Sequence, residues 1–305
     1  MKETFYLNSS DGKNNLHCLL WKPQGEVKAV LQIIHGMKEY VGRYEELAEY
    51  LNDKGIAVLG CDHLGHGETA ANEEDLGFFA EKGGKGYLLK DQHLITEHAH
   101  ETYPRAPLFV LGHSMGSFIL RRYLTIWGGE IDGAIIMGTG TEPFIKCNMG
   151  KFLAFLIMKI KGVRYRSKLV FGLADGNYSK AFDGGVTWLS KNEENVKKYL
   201  QDPFCTYHFT ISAYHTLFSL MEDMAIKKND KRIPKDLPVL FLSGMDDVVG
   251  AYTKGVLKAY NEYVALGIKD VDLKFYSGDR HEILKEDDKA DVFRDIEAFI
   301  ADRIK

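Results

Sequence analysis

The chain alternates between short unbroken apolar runs and longer stretches in which apolar residues recur every three or four positions. Runs of the first kind occupy 29–35 (AVLQIIH), 56–61, 108–112, 133–138, 238–244 and 272–278. They have the length of strands, and a run as uniformly apolar as Leu108 to Leu111 suits a strand buried on both faces. Between most of them lie helical patterns. In 43–55, Leu47, Tyr50 and Leu51 share one helix face and Gly55 provides the stop. Strand alternating with helix predicts an α/β architecture: a mostly parallel sheet, right-handed crossovers and helices on both faces. From 139 to 236 the rhythm fails, and the chain reads as several helices interrupted by Gly162, Gly172, Gly176, Gly184 and Gly185. Strands on both sides of that segment must pair in one sheet. The expectation is therefore a single domain over 1–305 with a helical cap inserted at 139–236.

Composition narrows the function classes. Residues are 45% hydrophobic and 27% charged, and a formal net charge of −4 offers no global attraction for nucleic acid. The four cysteines, Cys18, Cys61, Cys147 and Cys205, form no C-x-x-C pair, which fits free thiols in a reducing compartment. The first residues contain no apolar stretch of signal-peptide length, and no run approaches the ~18 apolar residues of a spanning helix. A cytoplasmic protein is expected.

Candidate chemistry gathers where the predicted strands end, as it does in open parallel sheets. Gly112-His-Ser-Met-Gly116 joins the run at 108–112 to a helical pattern carrying Phe118, Ile119, Leu120, Tyr123 and Leu124. Glycines on both sides of a serine at a strand-to-helix turn relieve the crowding of a sharp bend, so Ser114 is placed as a nucleophile. The N–H of Met115 and the positive end of the following helix share its space. His35-Gly36-Met37 follows another strand, and the N–H of Met37 is the candidate second oxyanion donor. Asp246 and Asp247 follow the run at 238–244, and His281 follows the run at 272–278. A serine hydroxyl needs a base, and the base needs a carboxylate; Ser, then Asp, then His is the α/β-hydrolase order. His63 and His66 resemble an H-x-x-H metal pair, but Gly65 and Gly67 favour a loop tied by Asp62 and His66, and no metal site is expected. The glycine-rich 82–87 lacks the G-x-x-x-x-G-K-[ST] of a phosphate loop.

Taken in order, HGMKEYVGRYEELAEYL, DHLGHG, GHSMG, SGMDDVVG and RHEILKE resemble the monoacylglycerol lipase and lysophospholipase family of α/β-hydrolases. VTWLSKNEENVKKYLQDPFC, 186–205, is similar to cap sequence in bacterial members. The resemblance implies a serine ester hydrolase for monoacylglycerols or lysophospholipids, with Ser114 as nucleophile, His281 as base and, by a G-x-x-D pattern from Gly244, Asp247 as acid. It implies no cofactor. Tyr40, Leu64, Val248 and Lys285 depart from residues common in the family. A short-chain carboxylesterase, a prolyl aminopeptidase and a non-catalytic ligand-binding homologue remain alternatives on the same fold. Finally, 146–168 holds Lys146, Lys151, Lys159, Lys161, Arg164, Arg166 and Lys168 around FLAFLIM, with no acidic residue. Two expectations follow: a peripheral membrane contact through the cap, or Phe152 to Met158 roofing the acyl pocket.

Overall fold

A computed structural model describes residues 1–174, 178–225 and 230–304. An eight-stranded sheet runs through it in the order β1-β2-β4-β3-β5-β6-β7-β8. The strands are β1 Lys2–Asn8, β2 Asn15–Trp21, β3 Ala29–Ile34, β4 Ile56–Cys61, β5 Leu108–His113, β6 Gly133–Met137, β7 Val239–Gly244 and β8 Val271–Tyr276. From β4 to β8 all neighbours are parallel, and β1 and β2 join antiparallel at one edge. Every residue of β3 to β7 is buried, as the unbroken apolar runs require, whereas edge strand β8 alternates between half-buried and exposed positions until buried Tyr276 at its end.

The β1–β2 hairpin was not among the predicted strands. Its outer strand reads KETFYLN and is largely exposed, so no apolar run announces it. It is closed by a turn in which Gly12 takes φ 70° and Asp11 Oδ1 accepts the N–H groups of Lys13 and Asn14.

Alternate strand positions feed two cores. On one face Leu31, Ile33, Phe109 and Leu111 pack against Leu47 and Leu51 of α1 (Glu45–Asn52) and Ile296 and Ile300 of α9 (Lys289–Ala301). On the other, Val30, Ile34, Val110 and Ile136 meet α2 (Gly84–Thr102), α3 (Met115–Trp127) and α8 (Lys254–Ala265). Between β6 and β7 lie α4 (Phe144–Lys161), α5 (Lys168–Ala174), α6 (Glu193–Gln201) and α7 (Ile211–Met224), with no strand among the described residues. Ala154 of α4 and Tyr214 and Leu220 of α7 join the second core, which seats this segment over the sheet. Gly176, within the predicted insertion, lies outside the described residues. No described helix is long and apolar enough to cross a membrane.

Candidate active site

Ser114 sits between β5 and α3 with φ 52° and ψ −119°, a conformation that a residue with a Cβ adopts only under constraint. The constraint is close packing. A Cβ on Gly116 would run into the main-chain oxygens of Ile34 and His35, and one on Gly112 would lie 2.5 Å from the Gly116 oxygen. The glycines flanking Ser114 thus let the first turn of α3 press onto the end of β3.

That contact brings the loop after β3 to the serine. A Cβ on Gly36 would lie 3.0 Å from Ser114 Cβ, so Met37, the next residue, stands beside Ser114 and lines the same cavity. Met115, buried, opens α3. The N–H groups of Met37 and Met115 have no hydrogen-bond partner among the described residues.

His281 lies in the loop after β8 and Asp247 in the loop after β7. His281 Nδ1 is 2.9 Å from Asp247 Oδ2, and both side chains are almost fully buried. Asp247 Oδ1 accepts the N–H of Val249 at 2.8 Å. Asp246 instead donates its main-chain N–H to the Asp279 oxygen at 2.9 Å, and it remains partly exposed. Of the doubled aspartates, then, Asp247 meets the histidine. The two loops touch at Gly244, where a Cβ would collide with the Asp279 and Arg280 oxygens.

Ser114 and His281 face one cavity of about 70 Å³, walled also by Met37, Phe171, Val186 and Trp188. The Trp188 ring lies 5.3 Å from the His281 ring. No hydrogen bond joins the Ser114 hydroxyl to His281 among the described residues; such bonds are often long in a site without substrate.

Sequence reasoning passed over a set of buried charges at the cavity wall. Glu39 Oε1 accepts the Gly36 N–H at 2.5 Å and the Tyr44 hydroxyl at 3.1 Å, and it pairs with His113 Nδ1 at 2.8 Å. Arg43 donates to both oxygens of Glu282, at 2.7 and 2.9 Å, and its guanidinium lies 3.6 Å from Glu39. Asn195 of α6 donates to Glu282 at 2.8 Å. Burial works against the charge of Glu39, yet His113, Arg43 and the Gly36 N–H hold its carboxyl down to about 2. Burial also works against a charge on His113, but Glu39 carries the imidazole above its usual range.

Among the described residues no group of three or more His, Cys, Asp or Glu side chains is arranged to hold a metal ion. Asp62 ties the loop of His63 and His66, accepting from Val41 N–H at 2.8 Å and Glu68 N–H at 2.9 Å, while His66 Nδ1 lies 3.1 Å from the Leu64 oxygen. In 82–87, Gly84 opens α2.

The basic segment differs from its sequence pattern. Lys151 pairs with Glu222 of α7, Arg164 with Asp75 at 2.7 Å and Lys146 with Glu142 at 2.8 Å, and Arg166 donates to the oxygens of His208 and Leu76. Lys159, Lys161 and Lys168 are exposed. Phe152, Phe155 and Leu156 face outward rather than roofing the cavity, whose roof is supplied by Phe171, Val186 and Trp188.

A family model described as Serine aminopeptidase, S33 matches residues 25–288. The monoglyceride lipase homolog of Monkeypox virus is 31% identical over 299 residues, which cover 95% of this chain and 95% of that protein. Human monoglyceride lipase is 28% identical over 309 residues, covering 98% of this chain and 90% of its own length. A thermostable carboxyl esterase from Bacillus coagulans, solved in complex with glycerol, superposes with a TM-score of 0.92 at 27% identity and covers 100% of this chain and 99% of that one.

Proposed function

The chain belongs to the serine aminopeptidase S33 family of α/β-hydrolases, and from its similarity to monoglyceride lipases within that fold we propose a carboxylic ester hydrolase that cleaves monoacylglycerols, or lysophospholipids as a neighbouring class, through Ser114, His281 and Asp247. The observation that carries this reading is the buried 2.9 Å contact between His281 and Asp247 at a cavity shared with Ser114. Ser114 Oγ attacks the ester carbonyl as its proton passes to His281 Nε2. Asp247, accepting from Nδ1–H, keeps the ring in that tautomer and stabilises the imidazolium. The N–H groups of Met37 and Met115 receive the developing oxyanion. His281 then protonates the leaving glycerol oxygen, and water repeats the sequence on the acyl-enzyme, with no cofactor in either half.

An ester is favoured over a peptide N-terminus by the charges at the wall. An aminopeptidase needs a carboxylate to receive an ammonium group, and the wall carboxylates, Glu39 and Glu282, are committed to His113 and Arg43. The remaining wall is mostly apolar and suits an acyl chain. At about 70 Å³ the cavity is well below the ~300 Å³ or more of ordinary ligand pockets, so a long acyl group enters only as Phe171, Val186 and Trp188 move aside. In this reading residues 139–236 act as a cap on a single 1–305 domain. Initial rates on monoacylglycerols, lysophospholipids, p-nitrophenyl esters and a prolyl peptide test it. Cleavage of the esters with monoacylglycerol preferred is expected; peptide cleavage without ester cleavage would overturn it.

The cap also presents an apolar face. Ile145, Phe152 and Ile160 of α4 are 71%, 60% and 77% exposed, with Lys159 and Lys161 alongside. Such a face supports peripheral contact with the lipid surface that holds the substrate, the apolar side chains entering the headgroup region. Replacing Phe152 and Ile160 together by Ser is expected to weaken sedimentation with anionic vesicles and leave short-chain ester hydrolysis unchanged. Undiminished vesicle binding by that variant would end this part of the proposal.

A further inference from the structure

The buried charges Glu39, Arg43, His113 and Glu282 take no part in the chemistry just described, yet each belongs to a different piece of the site. Glu39 follows the oxyanion loop. Arg43 lies in the short helical turn Val41–Tyr44. His113 precedes Ser114, and Glu282 follows His281. Their signs alternate along the chain of contacts: His113 to Glu39, Glu39 to Arg43, Arg43 to Glu282. The far nitrogen of His113 lies 3.3 Å from the His281 main-chain oxygen, and the two rings are 4.9 Å apart.

Glu39 is the member that touches most. Three hydrogen bonds converge on its Oε1, from the Gly36 N–H, His113 Nδ1 and the Tyr44 hydroxyl, and its other oxygen faces Arg43. We infer that Glu39 is a positioning residue of the reaction, fastening the oxyanion loop to the nucleophile strand and, through His113, to the base loop. The inference rests on the reading of Ser114 and His281 given above. Gly36 N–H, held by Glu39, sets the turn whose next amide is that of Met37. With a carboxylate at Nδ1, His113 carries both ring protons, and Nε2–H braces the main chain of the base. The raised proton affinity of His113 accords with this, as does charge balance: two buried anions, Glu39 and Glu282, face two cations, Arg43 and His113. Besides these groups, the His281 ring packs on His113, and the buried His35 lies near enough to act on its charge.

A buried ion pair that only held the fold together would alter stability and leave the rate constants of the folded enzyme alone. Glu39→Gln keeps size and one acceptor but removes the charge. It is expected to lower kcat on a soluble p-nitrophenyl ester roughly 10- to 100-fold with KM within about twofold, since displaced donors act on the transition state rather than on binding. In the wild type, 15N spectra are expected to show both His113 nitrogens protonated at neutral pH, a measurement that stands even if the variant does not fold. A His113 ring with one bare nitrogen there, or a folded Glu39→Gln enzyme with kcat within twofold of wild type or with its loss confined to KM, would overturn the inference. Fluorophosphonate labelling separates the two levels. A wild type that takes no label removes the underlying reading and this inference with it; a labelled wild type with an unimpaired Glu39→Gln variant removes only the inference.

Discussion

Replacing Asp247 by Asn tests the acid in the proposed triad, and its effect can be worked from two hydrogen bonds. The carboxylate accepts twice, from His281 Nδ1 at 2.9 Å and from Val249 N–H at 2.8 Å. An amide offers one acceptor and one donor at the same positions. If its oxygen keeps Val249, its NH₂ faces Nδ1, the ring proton moves to Nε2, and His281 can no longer take the proton of Ser114. If its oxygen keeps His281, its NH₂ opposes the half-buried Val249 N–H, costing that group its protein partner at about 1–3 kcal/mol. The inactive arrangement is therefore preferred by a factor of roughly 5 to 150. Even the minor active population lacks the negative charge that stabilises the imidazolium. Together these effects place the expected loss in kcat on the order of 10⁴, about 5 kcal/mol of transition-state stabilisation. Asp246→Asn leaves the main-chain bond to Asp279 in place at a partly exposed position, so a change within about threefold is expected. The assay is initial-rate hydrolysis of a p-nitrophenyl ester at saturation, with a thermal melt confirming that each variant is folded. A folded Asp247→Asn enzyme within tenfold of wild type, or a larger loss from Asp246→Asn, would rule out Asp247 as the acid.

Two further outcomes follow from the packing and the buried histidines. Gly116→Ala sets a methyl against the main-chain oxygens of Ile34, at the end of the central strand β3, and His35 beyond it, which cannot swing aside as a side chain would; a loss of roughly 3 kcal/mol or more is expected in denaturant unfolding, and a loss under about 1 kcal/mol would contradict the close approach. Burial pushes His63 down to about 4 and His66 down to about 3, so both are neutral in the folded protein while their unfolded counterparts begin to bind protons near pH 6.5. Their contribution to stability is present above pH 6.5 and is lost as pH falls from there toward 4 and 3, at about 1.4 kcal/mol per pH unit for each. His17 and His113, shifted upward, act in the opposite sense only above pH 6.5, while Asp279, raised by burial to about 6, offsets only part of the decline below that pH. Thermal melts between pH 7 and 4.5 are expected to show the decline, and a flat profile would refute it.

What could be read from the sequence was what is local. The turn at Ser114 announces itself because the glycines it needs are two residues away on each side, between an apolar run and a helical pattern. Asp247 and His281 were accessible for a related reason: each follows a recognisable strand, and parallel strands deliver their ends to one edge. Glu39, Arg43 and Glu282 gave no such signal. In HGMKEYVGRY and RHEILKE they read as ordinary charges, and the Arg43–Glu282 pair joins residues 239 positions apart that meet only through the strand order. The basic run at 146–168 was legible as composition, but the partners that occupy much of it, Asp75 and Glu222, lie elsewhere in the chain. The β1–β2 hairpin escaped notice because its outer strand is an exposed sheet edge, where burial imposes no apolar run.

In the proposed reaction Ser114 owes its nucleophilicity to His281. Reaction of the intact protein with a fluorophosphonate, followed by peptide mass spectrometry, tests this most directly, because that reagent modifies a serine only where a base and an oxyanion site make it nucleophilic. A single stoichiometric adduct is expected on the peptide containing Ser114, absent from Ser114→Ala and strongly slowed in His281→Ala. No adduct on the folded wild type, or an adduct that persists in Ser114→Ala, would contradict that activation.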